Sequence, residues 1–242
     1  MSPDLYRGDN TEPYSKMGAS IVPFYRPFPY LFAQFTRGNF SKLNVLDYGA
    51  GRGRLERLAR LMGVDHLTEV DTSPTMLSAS RKIRSARAVV GDTLPFPDAS
   101  YDVVLSFATW VDIHNPDELV NYCKEAGRVL KPGGVMIAGT ATPRSYQIET
   151  KSFNSDFPEN QNLKSGSWAK VVVKPFTKPV YDTVWSDEDH KRVIKAANFN
   201  LVETVEIFEG RDPIWLIYVA VKGELDLIAE RQALFRSARD LS

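Results

Sequence analysis

The sequence predicts an α/β fold with a doubly wound, mostly parallel sheet. Between residues 43 and 140, short apolar runs alternate with stretches of helical periodicity. The runs are almost continuously hydrophobic, as is typical of parallel strands covered on both faces, and their alternation with helices favours right-handed crossovers. With 242 residues, 43% of them hydrophobic, the chain suits one such domain, so we expect a single domain over residues 1–242.

Five apolar runs in this region predict strands, and the segments between them predict helices. The expected strands are residues 43–48, 66–71, 86–90, 102–107 and 135–140. The expected helices are residues 53–62, 74–83 and 116–130. The residues at the boundaries agree with this assignment, because Gly63 follows the first helix and Ser73 and Asn115 precede the other two.

The chain before this region consists of a polar start and an aromatic segment. Residues 1–16 are polar and lack periodicity, and we expect them to act as a flap. Residues 20–40 contain seven aromatic residues and three prolines, with a short helix expected over 29–37. These aromatic residues either pack against the core or cover an apolar ligand, and both alternatives stay open. We treat residues 1–40 as one N-terminal flap and helix.

The chain after residue 140 begins with a long polar segment and ends in regular elements. Residues 141–167 are irregular, and a structureless segment of this length inside a compact domain predicts a lid or a binding loop. Next come strands at 168–176 and 180–185, a helix from Ser186 to Asn198, strands at 200–208 and 213–222, and an amphipathic helix at 224–241. We expect residues 141–185 to form a lid and substrate-side insertion, and residues 186–242 to complete the core.

Composition and charge exclude several classes of protein. Thirty basic and thirty acidic side chains give a formal net charge of zero, which argues against a nucleic-acid partner because no overall positive field attracts phosphates. Cys123 is the only cysteine, which excludes an intramolecular disulfide framework and a cysteine-built zinc site, and we predict no metal. The start is not a secretory signal and no apolar run can insert into a membrane, so we expect a cytoplasmic protein.

A glycine-rich segment, VLDYGAGRGRL at residues 45–55, is the most informative motif. A strand ends at Asp47 and Tyr48, and a helix begins after the glycines. The turn between them contains Gly49, Ala50, Gly51 and Gly53. Glycines permit a tight turn with positive φ and let a ligand approach the bare backbone. Taken alone, this spacing is also typical of phosphate-binding loops in dinucleotide-binding proteins.

Asp47 discriminates between these two kinds of ligand. A carboxylate two residues before the first glycine would repel a dinucleotide pyrophosphate, by roughly 1 kcal/mol at ~4 Å in water and by about 4 kcal/mol at an effective dielectric constant of 20. The same carboxylate attracts an ammonium group. S-adenosylmethionine carries an α-ammonium, an α-carboxylate and a sulfonium, and no phosphate. Its carboxylate can meet the helix N-terminus while Asp47 faces its ammonium, so S-adenosylmethionine is the predicted cofactor.

Two further acidic residues end the next two strands. Asp71, followed by Thr72, ends the second strand, where a carboxylate can bind both hydroxyls of a ribose. Asp92, followed by Thr93, ends the third strand, where an acceptor atom can take the exocyclic amine of an adenine. Each of these residues could instead only cap a turn or a helix. Three acids at successive strand ends, matching ammonium, ribose and adenine, favour the binding interpretation.

These motifs resemble those of a known enzyme family. VLDYGAGRG, EVDTSPTML, VVGDTLPFPDASYDVVLSF and RVLKPGGVMI are similar to the successive motifs of the Rossmann-like, class I S-adenosylmethionine-dependent methyltransferases, in the branch that includes the ubiquinone and menaquinone enzymes. The resemblance covers about residues 43–140, which it identifies as the cofactor-binding core. It implies a seven-stranded sheet whose last strand, PIWLIYVAVK, runs antiparallel.

The resemblance also implies roles for residues by their position. It places Asp47, Gly49, Gly51 and Gly53 at the methionine part, Asp71 at the ribose, Asp92 and Thr93 by the adenine, and Ser106 near the cofactor. Three residues depart from the family pattern. Arg52 and Arg54 stand where small or apolar residues are commoner, and Tyr48 replaces an aliphatic residue.

The acceptor side is predicted less specifically. Asp112 and His114 follow the fourth strand and are candidate catalytic residues, because a base is needed when the acceptor must lose a proton. The alternative is that both belong only to the turn before the next helix. The candidate substrate-binding residues are Tyr14, Trp110 and Tyr146, which would enclose a partly apolar molecule. His190, in a polar helix, is expected to be solvated.

These observations together predict an enzyme that methylates a small, partly apolar molecule on oxygen or nitrogen. Transfer from a sulfonium is an in-line displacement, in which alignment supplies much of the acceleration. We expect a monomer or a homodimer. Two alternatives stay open, namely a peptide or RNA methyltransferase and a non-catalytic protein that only binds S-adenosylmethionine.

Overall fold

The computed structural model describes residues 22–36, 40–79, 86–89, 91, 93–175 and 177–223. These residues contain ten strands: β1 (Asn44–Tyr48), β2 (His66–Asp71), β3 (Ala86–Val89), β4 (Tyr101–Phe107), β5 (Leu130–Ala141), β6 (Phe153–Asn154), β7 (Trp168–Val173), β8 (Val180–Thr183), β9 (Phe199–Glu209) and β10 (Asp212–Lys222). They also contain six α-helices: α1 (Val22–Tyr25), α2 (Phe28–Thr36), α3 (Arg54–Leu61), α4 (Pro74–Ala79), α5 (Pro116–Val129) and α6 (Asp187–Ala196). None of these described helices is long and apolar enough to cross a membrane. The expected flap at 1–16 and the expected helix at 224–241 lie outside the described residues.

Seven strands form one sheet in the order β3-β2-β1-β4-β5-β10-β9. The first five strands along the chain pair in parallel, whereas β10 is antiparallel to both of its neighbours, β5 and β9. The predicted doubly wound, mostly parallel seven-stranded sheet with an antiparallel last strand is therefore confirmed. The strand order reverses between β1 and β4, which opens a crevice at the carboxyl ends of these two strands.

The central strands are covered on both faces. Side chains alternate along each strand, so that Leu46 and Val104 enter one apolar cluster, which includes residues of α5 and α6. Val45 and Leu105 enter the opposite cluster, which includes residues of α2 and α3. The buried side chains of α2 are Phe28, Leu31, Phe32 and Phe35. The three phenylalanines of this helix therefore pack against the core, which is one of the two alternatives that the sequence left open, whereas Tyr30 is exposed.

The segment 141–167 is more regular than its composition predicts. It contains β6, which joins the expected β7–β8 pair in a three-stranded antiparallel sheet. The amide of Asn160 donates to the carbonyls of Ser155 (2.8 Å) and Lys170 (2.7 Å), and its oxygen accepts from the Lys170 N–H (2.8 Å). The buried side chain of Asn160 thus makes hydrogen bonds that the backbone of a neighbouring strand would otherwise make. Hydrophobic periodicity does not detect such an arrangement.

His190 is buried rather than solvated. It is 0% exposed and lies against the rings of Trp110 and Tyr218, at centroid distances of 5.3 and 5.4 Å. Its Nδ1 is 3.2 Å from the hydroxyl of Tyr218, which in turn donates to Asp187 at 2.7 Å. Burial lowers the pKa of His190 to about 4, so the ring is neutral at physiological pH. The expectation of a solvated histidine is wrong because α6 directs this residue toward β10.

Arg128 of α5 attaches residues 93–98 to the core. Its guanidinium donates to the carbonyls of Leu94 (2.9 Å) and Phe96 (2.7 Å), and also to the carboxylate of Glu125 (2.9 and 2.8 Å). Glu125 accepts in addition from the Leu94 N–H at 2.9 Å. The bonds from Arg128 hold the pKa of Glu125 below its usual range. A planar guanidinium is needed to satisfy this many acceptors at once.

We expect Arg128→Lys to lower the free energy of unfolding by about 1–3 kcal/mol, because lysine leaves some of these acceptors unpaired. Urea unfolding followed by circular dichroism should show a lower midpoint at an unchanged slope. Because the folded-state pKa of Glu125 is lowered, its stabilising contribution is present above the unfolded-state pKa and lost as the pH falls through the folded-state value. The difference between the two proteins should therefore shrink in acid.

A matched control is Arg192→Lys, because Arg192 forms an exposed ion pair with Asp189. Its effect should be below about 0.5 kcal/mol. Equal unfolding midpoints for Arg128→Lys and the unaltered protein would contradict the role given to Arg128.

Candidate functional site

A cavity of about 460 Å³ opens at the carboxyl ends of β1, β2 and β4. Ligands of open α/β sheets bind at this edge, where the strand order reverses. Seven of the residues predicted to bind the cofactor line the cavity: Asp47, Tyr48, Gly49, Ala50, Gly51, Asp71 and Thr72. Other residues that line it are Met76, Gly91, Phe107, Thr109, Asp112, Glu118 and Tyr122. We call this the first cavity.

The loop after β1 lies directly against the loop after β4. Gly49 has a φ of 80°, and a Cβ atom at this residue would overlap the side chain of Thr109. The Thr109 hydroxyl lies 3.4 Å from the carbonyl oxygen of Tyr48, to which it donates. The N–H groups of Gly49 and Ala50 both donate to the carbonyl of Val70, at 2.9 Å. Only glycine combines this left-handed backbone with so close an approach.

Helix α3 begins at the first cavity without a side-chain cap. Gly53 is the residue before the helix, with a φ of 71° and no side-chain hydrogen bond to the first turn. Arg54 and Leu55, the first two residues of the helix, line the cavity. An uncapped helix start offers N–H donors and a partial positive charge. It can therefore receive the carboxylate of a ligand.

Asp47 is 2% exposed, and its Oδ2 has no hydrogen-bond partner among the described residues. It lies beside Glu69 in the β1–β2 register, with Asp71 and Glu56 also nearby. Burial, followed by repulsion from these three carboxyl groups, raises the pKa of Asp47 well above its usual range. A buried carboxyl oxygen without a hydrogen-bond partner opposes folding, and a cation bound here would offset that effect.

Asp71 organises the same loop from the end of β2. Its Oδ2 accepts from the Gly51 N–H and its Oδ1 from the Ser73 N–H, both at 2.8 Å. Burial raises the pKa of Asp71, and these backbone bonds oppose the increase. The turn-capping role that the sequence left open is therefore present. It does not exclude a ligand, because each carboxylate oxygen can accept two hydrogen bonds.

Ser106 is fully buried and is not among the residues that line the cavity. Its hydroxyl lies 2.9 Å from the hydroxyl of Tyr122, which donates to the carbonyl of Tyr48 at 2.7 Å. The rings of Tyr122 and Tyr48 stack at a centroid distance of 3.8 Å. Burial raises the pKa of Tyr122 well above its usual range, so its proton is retained. Ser106, expected near the cofactor, therefore lies behind Tyr122 and does not reach the cavity.

Asp112 is the predicted catalytic residue that does line the first cavity. It lies in a short 3-10 turn after β4. Near the expected adenine position, Gly91 lines the cavity, whereas Thr93 is exposed and is not among the lining residues. Asp92 and Tyr14 lie outside the described residues.

His114 and Trp110 belong to the framework of the protein. The ring of His114 lies 4.8 Å from that of Trp168, and its Nδ1 hydrogen bonds to the hydroxyl of Thr183. Burial lowers the pKa of His114. Trp110 is fully buried and stacks on Tyr218 at 6.0 Å. Neither residue lines the cavity, because the turn after β4 directs His114 to β8 and Trp110 to β10. The expected base at His114 and the expected substrate contact at Trp110 are corrected accordingly.

A second, smaller cavity of about 70 Å³ adjoins the first. Tyr25, Arg54 and Ala108 line both cavities. Tyr146, a predicted substrate-binding residue, lines the second cavity together with Asp182. The rest of its wall is mostly apolar and includes Phe24, Val111, Ala141, Phe153, Val171, Val173 and Trp215.

Three residues of the two cavities are not among those that the sequence motifs predict, namely Thr109, Tyr122 and Asp182. Asp182 is a polar residue inside the apolar run VYDTVW, on the same face of the strand as buried Val180. That alternation is a local signal that points to Asp182. For Thr109 and Tyr122 no such signal exists, because they reach the first cavity only through the packing of β4 and α5 against β1.

Residues 46–138 match a family model described as a methyltransferase domain. The demethylmenaquinone methyltransferase of Tropheryma whipplei (strain Twist) is 35% identical over 109 residues, which are 42% of this chain and 44% of that protein. The 2-methyl-6-phytyl-1,4-hydroquinone methyltransferase of Synechocystis sp. is 37% identical over 100 residues, which are 38% of this chain and 30% of that protein. The match thus covers less than half the length of either relative.

A crystal structure of an S-adenosylmethionine-dependent methyltransferase from Clostridium acetobutylicum has the same fold, with a TM-score of 0.64 at 15% identity over 88% of this chain and 99% of that chain. Residues 46–138 are therefore similar to a methyltransferase domain, and the chain has the fold of an S-adenosylmethionine-dependent methyltransferase of known structure.

Proposed function

We propose that this chain binds S-adenosylmethionine in the first cavity and methylates an oxygen or nitrogen atom of a small, partly apolar molecule. The observation that carries the proposal is the buried Oδ2 of Asp47, which has no hydrogen-bond partner in the part of the chain that the structure describes and lies in a cavity that also contains the uncapped start of α3. This pair of opposite charges is complementary to an α-ammonium and an α-carboxylate on one carbon atom.

The rest of the cofactor has complementary partners along the same edge of the sheet. Asp71 has spare lone pairs, which suit the hydroxyls of a ribose. Met76 and Gly91 line the cavity beyond it and offer an apolar side chain and bare backbone to an adenine. The resemblance to the family adds Asp92 as the acceptor for the adenine amine.

When bound, S-adenosylmethionine supplies an electrophilic methyl group that an acceptor atom displaces in line. The protein must hold the acceptor in line and exclude water, which together supply much of the acceleration. Asp112 is the base that we assign to acceptors that lose a proton, because it lines the first cavity beside the loop that follows β4.

The acceptor is proposed to be small because the second cavity is narrow in volume, at about 70 Å³, and mostly apolar. The names of the two curated relatives specify a demethylmenaquinone and a phytyl hydroquinone as their acceptors, which are small molecules with apolar parts. Residues 1–16 and 141–167 stay the proposed lid. Of the second segment, Tyr146 and Phe153 line the second cavity.

Methyl-labelled S-adenosylmethionine, incubated with the protein and a cell extract, tests this function. The proposal expects label in a low-molecular-weight product, which mass spectrometry can identify. Label in protein or RNA would favour the alternative of a macromolecular acceptor. Cofactor binding without transfer to any fraction would favour a non-catalytic binding protein.

Asp47→Asn should separate ligand binding from stability. The variant should bind S-adenosylhomocysteine at least about tenfold more weakly in calorimetry, because a charge-assisted hydrogen bond is lost.

The unaltered protein should bind S-adenosylhomocysteine and not NAD. Its affinity for S-adenosylhomocysteine should rise with pH as Asp47 ionises. Heat from NAD, and none from S-adenosylhomocysteine, would overturn the cofactor assignment.

The same substitution should raise the unfolding temperature of the ligand-free protein at pH 8. Because the folded-state pKa of Asp47 is raised, its ionisation opposes folding increasingly as the pH rises above the unfolded-state value of about 4. The stabilisation should therefore be smaller at pH 5 than at pH 8. Asp65→Asn, at an exposed carboxylate, is the matched control and should change neither the unfolding temperature nor the affinity for S-adenosylhomocysteine. A lower unfolding temperature of Asp47→Asn, together with an unchanged affinity for S-adenosylhomocysteine, would contradict the role given to Asp47.

Asp71→Ala should weaken the binding of S-adenosylhomocysteine at least about tenfold, since each charge-assisted bond to a ribose hydroxyl contributes about 1.5–3 kcal/mol. Part of this loss arises from the backbone bonds of Asp71 to Gly51 and Ser73. The 2′-deoxy form of S-adenosylhomocysteine isolates the ribose contribution in a double-mutant cycle. The unaltered protein should bind the 2′-deoxy form more weakly than S-adenosylhomocysteine. The Asp71→Ala variant should bind the two compounds with equal affinity. If removal of the 2′-hydroxyl weakens binding equally in both proteins, Asp71 does not contact the ribose and only caps the turn.

A further inference from the structure

We propose that the second cavity receives one edge of the methyl acceptor, and that Asp182 holds a neutral, flat ring by that edge through an O–H or N–H group of the acceptor. This inference rests on the proposed function, because it gives the acceptor a place beside the cofactor. The two cavities meet at Tyr25, Arg54 and Ala108. A molecule anchored at Asp182 can therefore extend into the first cavity.

Asp182 faces the cavity from the middle of β8. It shares a strand face with Val180, which is buried in the apolar cluster of the small sheet. Thr183 belongs to the opposite face, where its hydroxyl binds His114. The carboxyl group of Asp182 is therefore directed to the cavity side of the strand, away from the contact that His114 makes.

The hydrogen-bonding capacity of Asp182 is largely unused. Among the described residues its carboxylate accepts one side-chain hydrogen bond, from the hydroxyl of Tyr146 at 3.4 Å. This distance is long for an O–H···O bond, which is usually about 2.7–2.8 Å. Two carboxylate oxygens can accept about four hydrogen bonds, so room for a donor from a ligand remains.

The surroundings of Asp182 favour a neutral ligand that donates a hydrogen bond. Burial raises the pKa of Asp182 to about 7, and the bond from Tyr146 opposes the increase. A substantial fraction of the group is therefore ionised at neutral pH inside a mostly apolar wall, where a donor is needed. An anionic ligand would be repelled by Asp182, and a cationic one by Arg54 at the junction of the cavities.

The apolar wall favours a flat ring. Phe24 stacks on Trp215 at a centroid distance of 4.4 Å, and Phe153 meets Trp215 edge to face at 6.1 Å. Aromatic walls of this kind pack well against the face or edge of another ring. The volume of about 70 Å³ is below the roughly 150 Å³ of an engineered cavity that holds benzene, so the second cavity accepts the donor-bearing edge of a ring and the first cavity accepts the remainder.

Two fluorinated probes test this inference without knowledge of the natural acceptor. 4-Fluorophenol has the O–H donor, and 4-fluoroanisole has the same ring with the donor blocked by a methyl group. Fluorine NMR titrations measure the dissociation constant of each probe, with the protein both free and saturated with S-adenosylhomocysteine. We expect 4-fluorophenol to bind about three- to tenfold more tightly than 4-fluoroanisole, which corresponds to one hydrogen bond.

Asp182→Ala should remove this preference by weakening 4-fluorophenol to the affinity of 4-fluoroanisole, while the affinity for S-adenosylhomocysteine stays unchanged. Asp182→Asn keeps the size of the side chain and a hydrogen-bond acceptor, so it should retain part of the preference. Glu209→Ala, which removes an exposed carboxylate from β9, is the matched control and should behave as the unaltered protein does.

Equal affinities of the two probes for the unaltered protein would overturn the inference, as would a preference that persists in Asp182→Ala. No measurable binding of 4-fluorophenol up to about 10 mM would also overturn it. If instead the proposed function is wrong, the results differ from those just described. S-adenosylhomocysteine then does not bind, but the ligand-free protein still prefers 4-fluorophenol, and this preference still depends on Asp182.

Discussion

The close approach of Gly49 to Thr109 is the constraint on which the rest of the site depends. β1 and β4 are neighbours in the sheet, and the side chain of Thr109 packs directly on the backbone of Gly49 because Gly49 has no Cβ atom. This contact brings Asp47, at the end of β1, into the same cavity as Asp112, which follows β4. A larger residue at position 49 would separate the loops, and the cavity would lose its shape even if every strand stayed in place.

A buried carboxyl group, that of Asp47, lines the cavity that this contact creates, and two further buried acids lie close to it. Asp47, Glu56 and Glu69 are all buried, and their repulsion contributes to the raised pKa of Asp47. A group of buried acids at the ligand-binding edge of a sheet therefore opposes the stability of the empty protein and favours a positively charged ligand. Perturbed groups of this kind concentrate at functional sites.

Local rules predicted the framework and the glycine turn, whereas contacts distant in the sequence determined the rest. Strands β1 to β5 follow from apolar runs, and the turn at Gly49 follows from the special conformations of glycine. The environments of Ser106, His190 and Asp182 do not follow from such rules. Each of these side chains meets a tyrosine hydroxyl, at separations of 16, 28 and 36 residues respectively. Neither periodicity nor composition contains those pairings.

Under the proposed function, the acids of the first cavity contribute to the affinity for the cofactor, whereas the acceptor side of the site contributes to the rate of methyl transfer. The ammonium group that we assign to Asp47 keeps its charge throughout methyl transfer, so this contact stabilises the bound reactants and the transition state equally. Uniform binding of that kind increases affinity and leaves the rate of the bound complex unchanged. Besides the alignment of the acceptor, the acceleration comes from interactions that change during transfer, which are the loss of positive charge at sulfur in a water-poor space and the loss of a proton by the acceptor. The mostly apolar second cavity and Asp112 belong to that part of the site, so the rate is determined on the acceptor side, away from the acids that hold the cofactor.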